Sequence, residues 1–565
     1  MTTYSLGLDY GTNSCRSVIV DLSDGTEVAT HVFDYPTGTA GIVTDPKDPN
    51  VARQNPQDYI RGLETIIPEA IRKARQANSA FDPARIVGIG VDTTGSTPMP
   101  VTADGTPLAT LPEFEGNPNA MAWLWKDHTS HAEAAEITEK ADELRPQVLA
   151  KCGGTYSSEW FWSKVLHAKR TAPDVFAAAH SWVEYCDWIP ALLAGDPSPG
   201  AIVPSICAAG HKAMYSDAWG GLPDKEFLAA VDPALADLRD RLYDRAVPSD
   251  HCAGHLSEEW AGKLGLQAGI AIAVGAFDAH MGAVGAGIRE GTLVKILGTS
   301  TCDMMIKRDT SELADIPGVC GIVDGSIMSG YYSIEAGQSA VGDIFLWFVN
   351  HLVPDSYGAS QKEKFDKLDA EADRLSPGET GLLALDWNNG NRTILVDPML
   401  SGMLIGQTLH TTAHEIYRAL IEATAFGALT IINRIKEYGV EVKEVVNCGG
   451  LAVKCPLLMQ IYADVTGCPM KIARSEQTCA VGAAIFGAVA AGPDKGGFAT
   501  AEEALEAVAG VRDIVYTPNP EAQAVYGDLY ALYRELHDAF GTPDWSGALG
   551  HVMKRLIDIR NLQRT

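Results

Sequence analysis

Two apolar runs in this chain each break into a short glycine turn carrying small hydroxyls, and each then resumes as a second apolar run. The first reads LGLDYGTNSCRSVIVD from Leu6, the second VKILGTSTCDMMI from Val294. In both, a Gly-Thr pair, Gly11-Thr12 and Gly298-Thr299, falls at the tip of a predicted hairpin. Backbone N–H groups and small hydroxyls at such a tip converge on a phosphate. Two turns of this kind, far apart in one chain, predict a duplicated fold whose halves close on one nucleotide. The copies differ in one respect: Asp9 precedes the first turn, while Leu297 stands just before the second. Only the first offers a carboxylate to a divalent metal. A further carboxylate, Asp278 in GAFDAHMG, follows an apolar run and precedes a helical pattern. That puts it at a strand's carboxyl end, facing the crevice where α/β folds bind ligands. Spacing alone leaves a plain N-cap role for Asp278 equally open.

The elements that must hold these groups follow from periodicity. Leu6 to Leu8, Ser17 to Asp21 and Glu27 to His31 read as a strand meander, the last two joined by the Ser23-Asp24-Gly25 turn. A helical pattern over Pro56 to Gln76 leads into a strand from Ile86 to Val91. The tract from about Ala120 to Asp250, rich in Trp, Tyr and His, predicts helices and loops over a pocket. The second half repeats the plan, with a strand at Gly269 to Gly275, a hairpin over Val294 to Met305 and further strands over Gly321 to Ile334. Helices follow from Gly342 and over Ala413 to Tyr438, and a Gly449-Gly450 turn opens another that includes LLMQIYADV. This alternation predicts an α/β protein of two lobes from a duplicated unit, residues 1–266 and 267–565, around a deep cleft. The hinge is expected near Leu264 to Gly269.

Composition narrows the partners. Lys and Arg total 44 against 72 Asp and Glu, a net charge of −28, which repels polyanions; nucleic acid and anionic membranes are excluded as partners. A small anion can still bind where turn amides, a metal ion and a few cations set the local field. The eleven cysteines include no C-x-x-C pair and no secretory leader opens the sequence, so a reduced cytoplasmic location is expected. Apolar stretches such as AGIAIAVGAF from Ala268 and AVGAAIFGAVAAG from Ala480 are shorter than the roughly 18 residues of a membrane span. They read as a buried strand and a buried helix. Asn391-Arg392-Thr393 fits a glycosylation acceptor but is without meaning in a chain that is not exported. A homodimer is compatible with the sequence, which does not itself set an oligomeric state.

The GxxxxGK[ST] loop, the protein-kinase signatures and a well-placed GxGxxG are all missing, so phosphate recognition rests on the paired turns. Those turns resemble the actin-like ATPase superfamily, with its ribonuclease H-like lobes. Longer strings narrow the match: GVDTTGSTPMPV from Gly90, NPNAMAWLWKDHT from Asn117, GGTYSSEWFWSKVLH from Gly153 and EYCDWIPALLAG from Glu184. With AAGHKAMY from Ala208, GAFDAHMGAVGAG from Gly275 and EAGQSAVGDIFLWF from Glu335, the chain resembles the FGGY carbohydrate kinases, in particular the branch that phosphorylates L-ribulose in arabinose breakdown. His167 and Gln407 depart from the general family signatures and read as marks of that branch.

The resemblance implies ATP and Mg²⁺ as reaction partners, a small sugar as acceptor, and a role for each matching residue. Asp278 is the expected general base; an ordinary carboxylate pKa of about 3.9 makes it weak and puts proton transfer late. Asp9 is expected to hold Mg²⁺ through water. Gly11, Thr12, Asn13 and Arg16 of the first turn, and Gly298, Thr299 and Ser300 of the second, are expected on the phosphates, although each also suits plain turn chemistry. Gly449 and Gly450 would let the backbone approach the nucleotide, with the next helix's N-terminus facing an anion; Gly342 would leave room for adenine, and Lys454 stands where some relatives carry a polar amide. Ser96, Trp125, Lys126, Asp127, Lys212 and Glu335 would contact the ketopentose, a polyol needing several converging donors and acceptors. Cys15 and Cys302 are expected as packing residues. Phosphorylation of another ketopentose or polyol (D-ribulose, ribitol, xylulose), or ATP binding without catalysis, stays open.

Overall fold

Tyr4–Tyr10 is buried at every position, as a strand covered on both faces must be, and it anchors the first sheet. In the computed structural model, which describes residues 2–308 and 313–564, this strand (β1) pairs antiparallel with β2 (Ser14–Asp21), and β2 with β3 (Glu27–Asp34). On its other side β1 runs parallel to β4 (Ile86–Thr93). Between β3 and β4 the chain forms helix α1 (Pro56–Ala77), capped by the Asn55 side chain on the Gln57 N–H. Its apolar stripe, from Tyr59 through Leu63 and Ile66 to Ile71, joins the core that includes Leu6, Leu8 and Ile19 of the sheet. β5 (Cys252–His255), β6 (Ala271–Ala273) and β7 (Ala276–Phe277) complete the order β5-β6-β4-β1-β2-β3, with β7 also on β4.

The second sheet repeats the first. Its strands are β8 (Thr292–Leu297), β9 (Thr301–Arg308), β10 (Gly321–Asp324), β11 (Tyr331–Ala336), β12 (Glu444–Cys448), β13 (Met470–Ala473) and β14 (Val511–Tyr516), in the order β10-β11-β9-β8-β12-β13-β14. β8, β9 and β11 form the antiparallel meander of β1 to β3, and the run β8, β12, β13 is parallel like β1, β4, β6. Both sheets end in an antiparallel edge strand, β5 or β14. The expected division after residue 266 is corrected, because β6 and β7 pair with β4. An apolar run reads the same as the last strand of one unit or the first of the next, and only its pairing shows that the first sheet's strands continue to Phe277.

Residues 120–250 are mainly helical, as expected, and supply α2 (Phe161–Thr171), α3 (Tyr185–Ala194) and α4 (Ile206–Lys212). Later helices include α5 (Asp278–Gly285), α6 (Gly342–His351), α7 (Ala413–Glu437), α8 (Gly450–Lys454), α9 (Pro456–Thr466), α10 (Thr478–Ala491) and α11 (Val552–Gln563). The single helix expected after Gly449 is two, α8 and α9: Pro456 cannot donate to a continuing helix, and Cys455 before it takes φ −123°, ψ 84°. The lobes meet through α10. A Cβ on Gly90 of β4 would lie 1.8 Å from the Ala483 carbonyl oxygen, and one on Gly482 would lie 1.9 Å from that of Met281 in α5. Bare glycines thus let α10 rest directly on the first sheet and on α5, under the cleft. No helix among the described residues is long and apolar enough to cross a membrane.

Candidate active site

Asp278 is the first residue of α5 and follows β7 immediately, so it stands at the carboxyl end of a first-sheet strand. Its Oδ1 accepts the Ala279 N–H at 2.7 Å. Burial, reinforced by the Asp9 charge and opposed by that N–H, pushes the carboxyl up to about 7. The expectation of a weak base is thereby corrected: this carboxylate is matched to a proton acceptor working near neutrality. Asp9 just before the first turn and Cys302 just after the second both lie within electrostatic reach of Asp278. The two turns therefore face one groove.

Asp9 ends up beside a second carboxylate that the sequence reading missed. In the parallel register of β1 and β4, Asp9 stands opposite Asp92, and their oxygens with the Cys479 sulfur at the start of α10 lie within 4.8 Å of one another. Asp9 also pairs with Arg16, Oδ2 to Nε at 3.1 Å. Asp92 is fully buried, and apart from Asp9 neither of its oxygens has a hydrogen-bond partner; burial and then the Asp9 charge hold its carboxyl well above the ordinary range. The signal was present, since each strand carries an aspartate one residue before its last. Orphaned hard oxygens fit Mg²⁺, whereas burial pushes the Cys479 thiol up, away from the thiolate a softer metal would take.

Each turn is closed by its own backbone, Gly11 N–H on Ser14 O at 2.9 Å and Gly298 N–H on Ser300 O at 3.0 Å. Gly298 and Thr299 are exposed in the groove, with Ser300 half-buried beside them. The second turn is tied to α6, where the Val341 N–H reaches Thr299 O at 2.8 Å and the Gly342 N–H reaches Gly298 O at 3.1 Å. A Cβ on Gly342 would meet that Gly298 oxygen at 2.5 Å, so a glycine is required where α6 starts directly against the turn. Gly449 has φ 98°, and a Cβ there would lie 2.3 Å from Leu297 O, a place only glycine fills without strain. α8 begins at Gly450 and is five residues long, and Lys454 at its end is exposed. The Asn13 side chain donates one N–H to Ala40 O at 2.7 Å, which orients the amide at the exposed tip of the first turn.

On the sugar side, Trp125 Nε1 donates to Thr12 Oγ1 at 3.1 Å, coupling the aromatic to the first turn; Lys126 beside it is half-buried. Asp127 is fully buried with both oxygens used, Oδ2 by the Ala52 N–H at 2.7 Å and by Arg53, Oδ1 by Thr129. It anchors the Trp125-Lys126 turn and does not face the groove as expected. Ser96 is likewise withdrawn, its hydroxyl donating to Glu184. Lys164 of α2 donates to the carbonyls of Ser96 at 2.8 Å and Leu124 at 2.9 Å. Neither Glu184 nor Lys164 was singled out by sequence; both are buried supports for the Ser96 and Trp125 segments, and burial lowers Lys164 to about 7.

Lys212 and Glu335 do come together, Nζ to Oε1 at 3.1 Å. His211 Nδ1 lies 3.2 Å and His280 Nε2 3.7 Å from Glu335 Oε2. Burial would raise Glu335, but the Lys212 ammonium foremost opposes it and holds the carboxylate ionised. Burial lowers His280 to about 4, so the ring stays neutral. For Lys212 burial is outweighed by the Glu335 charge, which holds it up at about 12. The groove thus presents a base, a metal-suited acidic pair, two phosphate-suited turns, and an ammonium–carboxylate pair able to share a polyol's hydroxyls.

Residues 4–285 match the N-terminal domain, and residues 293–491 the C-terminal domain, of the FGGY family of carbohydrate kinases. A ribulokinase of Vibrio parahaemolyticus is 43% identical over 546 residues, 94% of this chain and 95% of its own. The ribulokinase of Halalkalibacterium halodurans is 43% identical over 576 residues, 100% of this chain and 98% of its own. Among solved structures, xylulose kinase from Rhodospirillum rubrum superposes with a TM-score of 0.77 at 24% identity, covering 95% of this chain and 100% of that one. Plasmodium falciparum glycerol kinase with ADP gives 0.74 at 14% identity, covering 95% and 98%. The fold is the two-lobed actin-like ATPase fold of the sugar kinases.

Proposed function

We propose that this chain, which belongs to the FGGY family of carbohydrate kinases, transfers the γ-phosphoryl group of ATP to the terminal hydroxyl of L-ribulose, giving L-ribulose 5-phosphate. The substrate rests on the ribulokinases that are 41–43% identical over nearly the whole chain. The chemistry rests on one observation above all: the half-buried Asp278 carboxylate stands at the carboxyl end of a first-sheet strand, in electrostatic reach of the Lys212–Glu335 pair and raised to about 7.

Lys212 donates to sugar hydroxyls and Glu335 accepts from them, which turns the terminal hydroxyl toward Asp278. The Trp125 ring packs against the C–H face of the sugar. Asp278 takes the hydroxyl proton as the oxygen bonds to phosphorus, and the N–H groups of the Gly11 and Gly298 turns stabilise the charge on the transferred group. Asp9 and Asp92 would hold Mg²⁺, which neutralises phosphate charge when bound. Closing the groove excludes water and suppresses ATP hydrolysis. All eleven cysteines are free, consistent with a reducing cytoplasm, where we place the reaction.

ADP release measured with L-ribulose, with its enantiomer and with no sugar tests the reading. Release that depends on L-ribulose is expected. A preference for D-xylulose or glycerol over both ribulose enantiomers rejects the substrate, and an Asp278→Ala variant with normal sugar-dependent release rejects the mechanism.

A further inference from the structure

Arg392 has no part in the chemistry described so far. It lies on an irregular segment that follows Leu385 in the second lobe, and among the described residues its guanidinium has neither a hydrogen-bond nor an ion-pair partner. The backbone around it is nonetheless fixed. Asn391 exchanges backbone hydrogen bonds with Asp397 at 2.9 Å, and its side chain accepts the Leu395 N–H at 3.0 Å. Thr393 Oγ1 accepts the Gly337 N–H at 3.3 Å.

Gly337 locates this segment in the groove. It lies two residues after Glu335, and a Cβ on it would sit 2.1 Å from the carbonyl oxygen of Thr301, the residue that leaves the Gly298-Thr299-Ser300 turn. Arg392 is therefore held between the second phosphate turn and the sugar-binding carboxylate. Burial disfavours its charge, but nearby carboxylates, Glu159 foremost and Glu335 with it, oppose burial and keep it a cation. In a chain of net charge −28, a half-buried guanidinium with unfilled donors is an unsatisfied fork, and a phosphoryl group with two or three charged oxygens satisfies it in bidentate fashion.

We propose that Arg392 binds the phosphoryl group during transfer and the phosphate of the sugar product, a role that rests on the sugar-kinase reading above. In that step the terminal sugar oxygen forms the new O–P bond. The bond from the γ-phosphorus to the β–γ bridging oxygen breaks, with its electron pair leaving on ADP, and the hydroxyl proton goes to Asp278. Arg392 donates N–H groups to the non-bridging oxygens and transfers nothing.

The test compares Arg392→Gln and Arg392→Lys with the wild-type chain. Arg392→Gln is expected to lower kcat by about 100-fold or more, with the KM for L-ribulose within about threefold, because a donor to developing charge is lost. In calorimetric titration it should bind L-ribulose 5-phosphate at least about tenfold more weakly and L-ribulose unchanged, with Arg392→Lys recovering part of the loss because it keeps the charge without the fork. A kcat within about threefold of wild type, or an equal loss of affinity for sugar and sugar phosphate, overturns the proposal. If Arg392→Gln does not fold, Arg392→Lys decides alone: wild-type affinity for the sugar phosphate overturns the role. Should the wild-type chain prefer another sugar, the same comparison is made with that sugar and its phosphate, so the substrate reading and the Arg392 role fail separately.

Discussion

Lys212 at the end of α4 and Glu335 on β11 join the two halves of the chain, Nζ to Oε1 at 3.1 Å, and both are buried. Breaking such a pair by removing one member leaves an uncompensated charge, which costs roughly 3–5 kcal/mol for a fully buried pair and less where the groove lets in water. Lys212→Met and Glu335→Gln should each lower the unfolding temperature and raise the KM for the sugar. The double variant should regain much of the stability while the sugar affinity stays lost. Thermal unfolding with and without L-ribulose measures both effects; single variants as stable as wild type would show that the pair is solvated.

Asp278 sets a pH dependence whose sign follows from its raised pKa of about 7. Only the ionised carboxylate accepts a proton, so kcat/KM should fall as pH drops through about 7, and Asp278→Asn should lose about 10²- to 10⁴-fold in rate at any pH. Stability runs the other way. The unfolded chain releases this proton near the ordinary carboxylate value of about 3.9 and the folded one near 7, so the group is least costly at low pH and destabilises increasingly between those values. Asp278→Asn should therefore unfold at a higher temperature than wild type at pH 8, with the gap narrowing towards pH 5. Equal unfolding temperatures at pH 8 would mean that the carboxylate is solvated.

The pairing of Asp9 with the first turn, of Gly298 with the second, and of Asp278 with a strand end was legible because local sequence fixes turns and strand ends. Asp92 was not, although it lay inside a string already singled out, because its significance comes from the register of β4 against β1. Asp127 and Ser96 show the opposite error. Both are polar and close in sequence to residues in the groove, but Arg53 and Glu184 satisfy them from the protein side, and sequence alone does not say which way a side chain faces. The boundary at 266 failed for the same reason as Asp92, since strand pairing is not a local property.

Asp92 carries a prediction about metal. Asp92→Asn removes a buried like charge beside Asp9 and should stabilise the protein in the presence of chelator. It should also reduce the stabilisation that Mg²⁺ alone gives the wild-type chain, which follows RT ln(1 + [Mg²⁺]/Kd). Chelation should stop ADP release and Mg²⁺ restore it. Unfolding curves with and without Mg²⁺ on the two proteins decide the matter, and an unchanged Mg²⁺ response in Asp92→Asn would leave Asp9 as the sole carboxylate in that site.

Gly482 links packing to chemistry. It sits on α10 against the Met281 carbonyl of α5, where an added Cβ would approach to 1.9 Å. α5 begins at Asp278, and α10 brings Cys479 beside Asp9 and Asp92. Forcing the two helices apart should therefore move the base relative to the acidic pair. Gly482→Ala is expected to cost about 1–3 kcal/mol by overpacking and to lower kcat, since small displacements of a reacting group weigh heavily on rate. The control is Gly527→Ala, on a helical stretch where an added Cβ meets nothing within 4 Å, and where alanine should stabilise by up to about 1 kcal/mol. If both variants unfold at wild-type temperature and turn over at wild-type rate, the α5–α10 contact is soft and the position of Asp278 is set elsewhere.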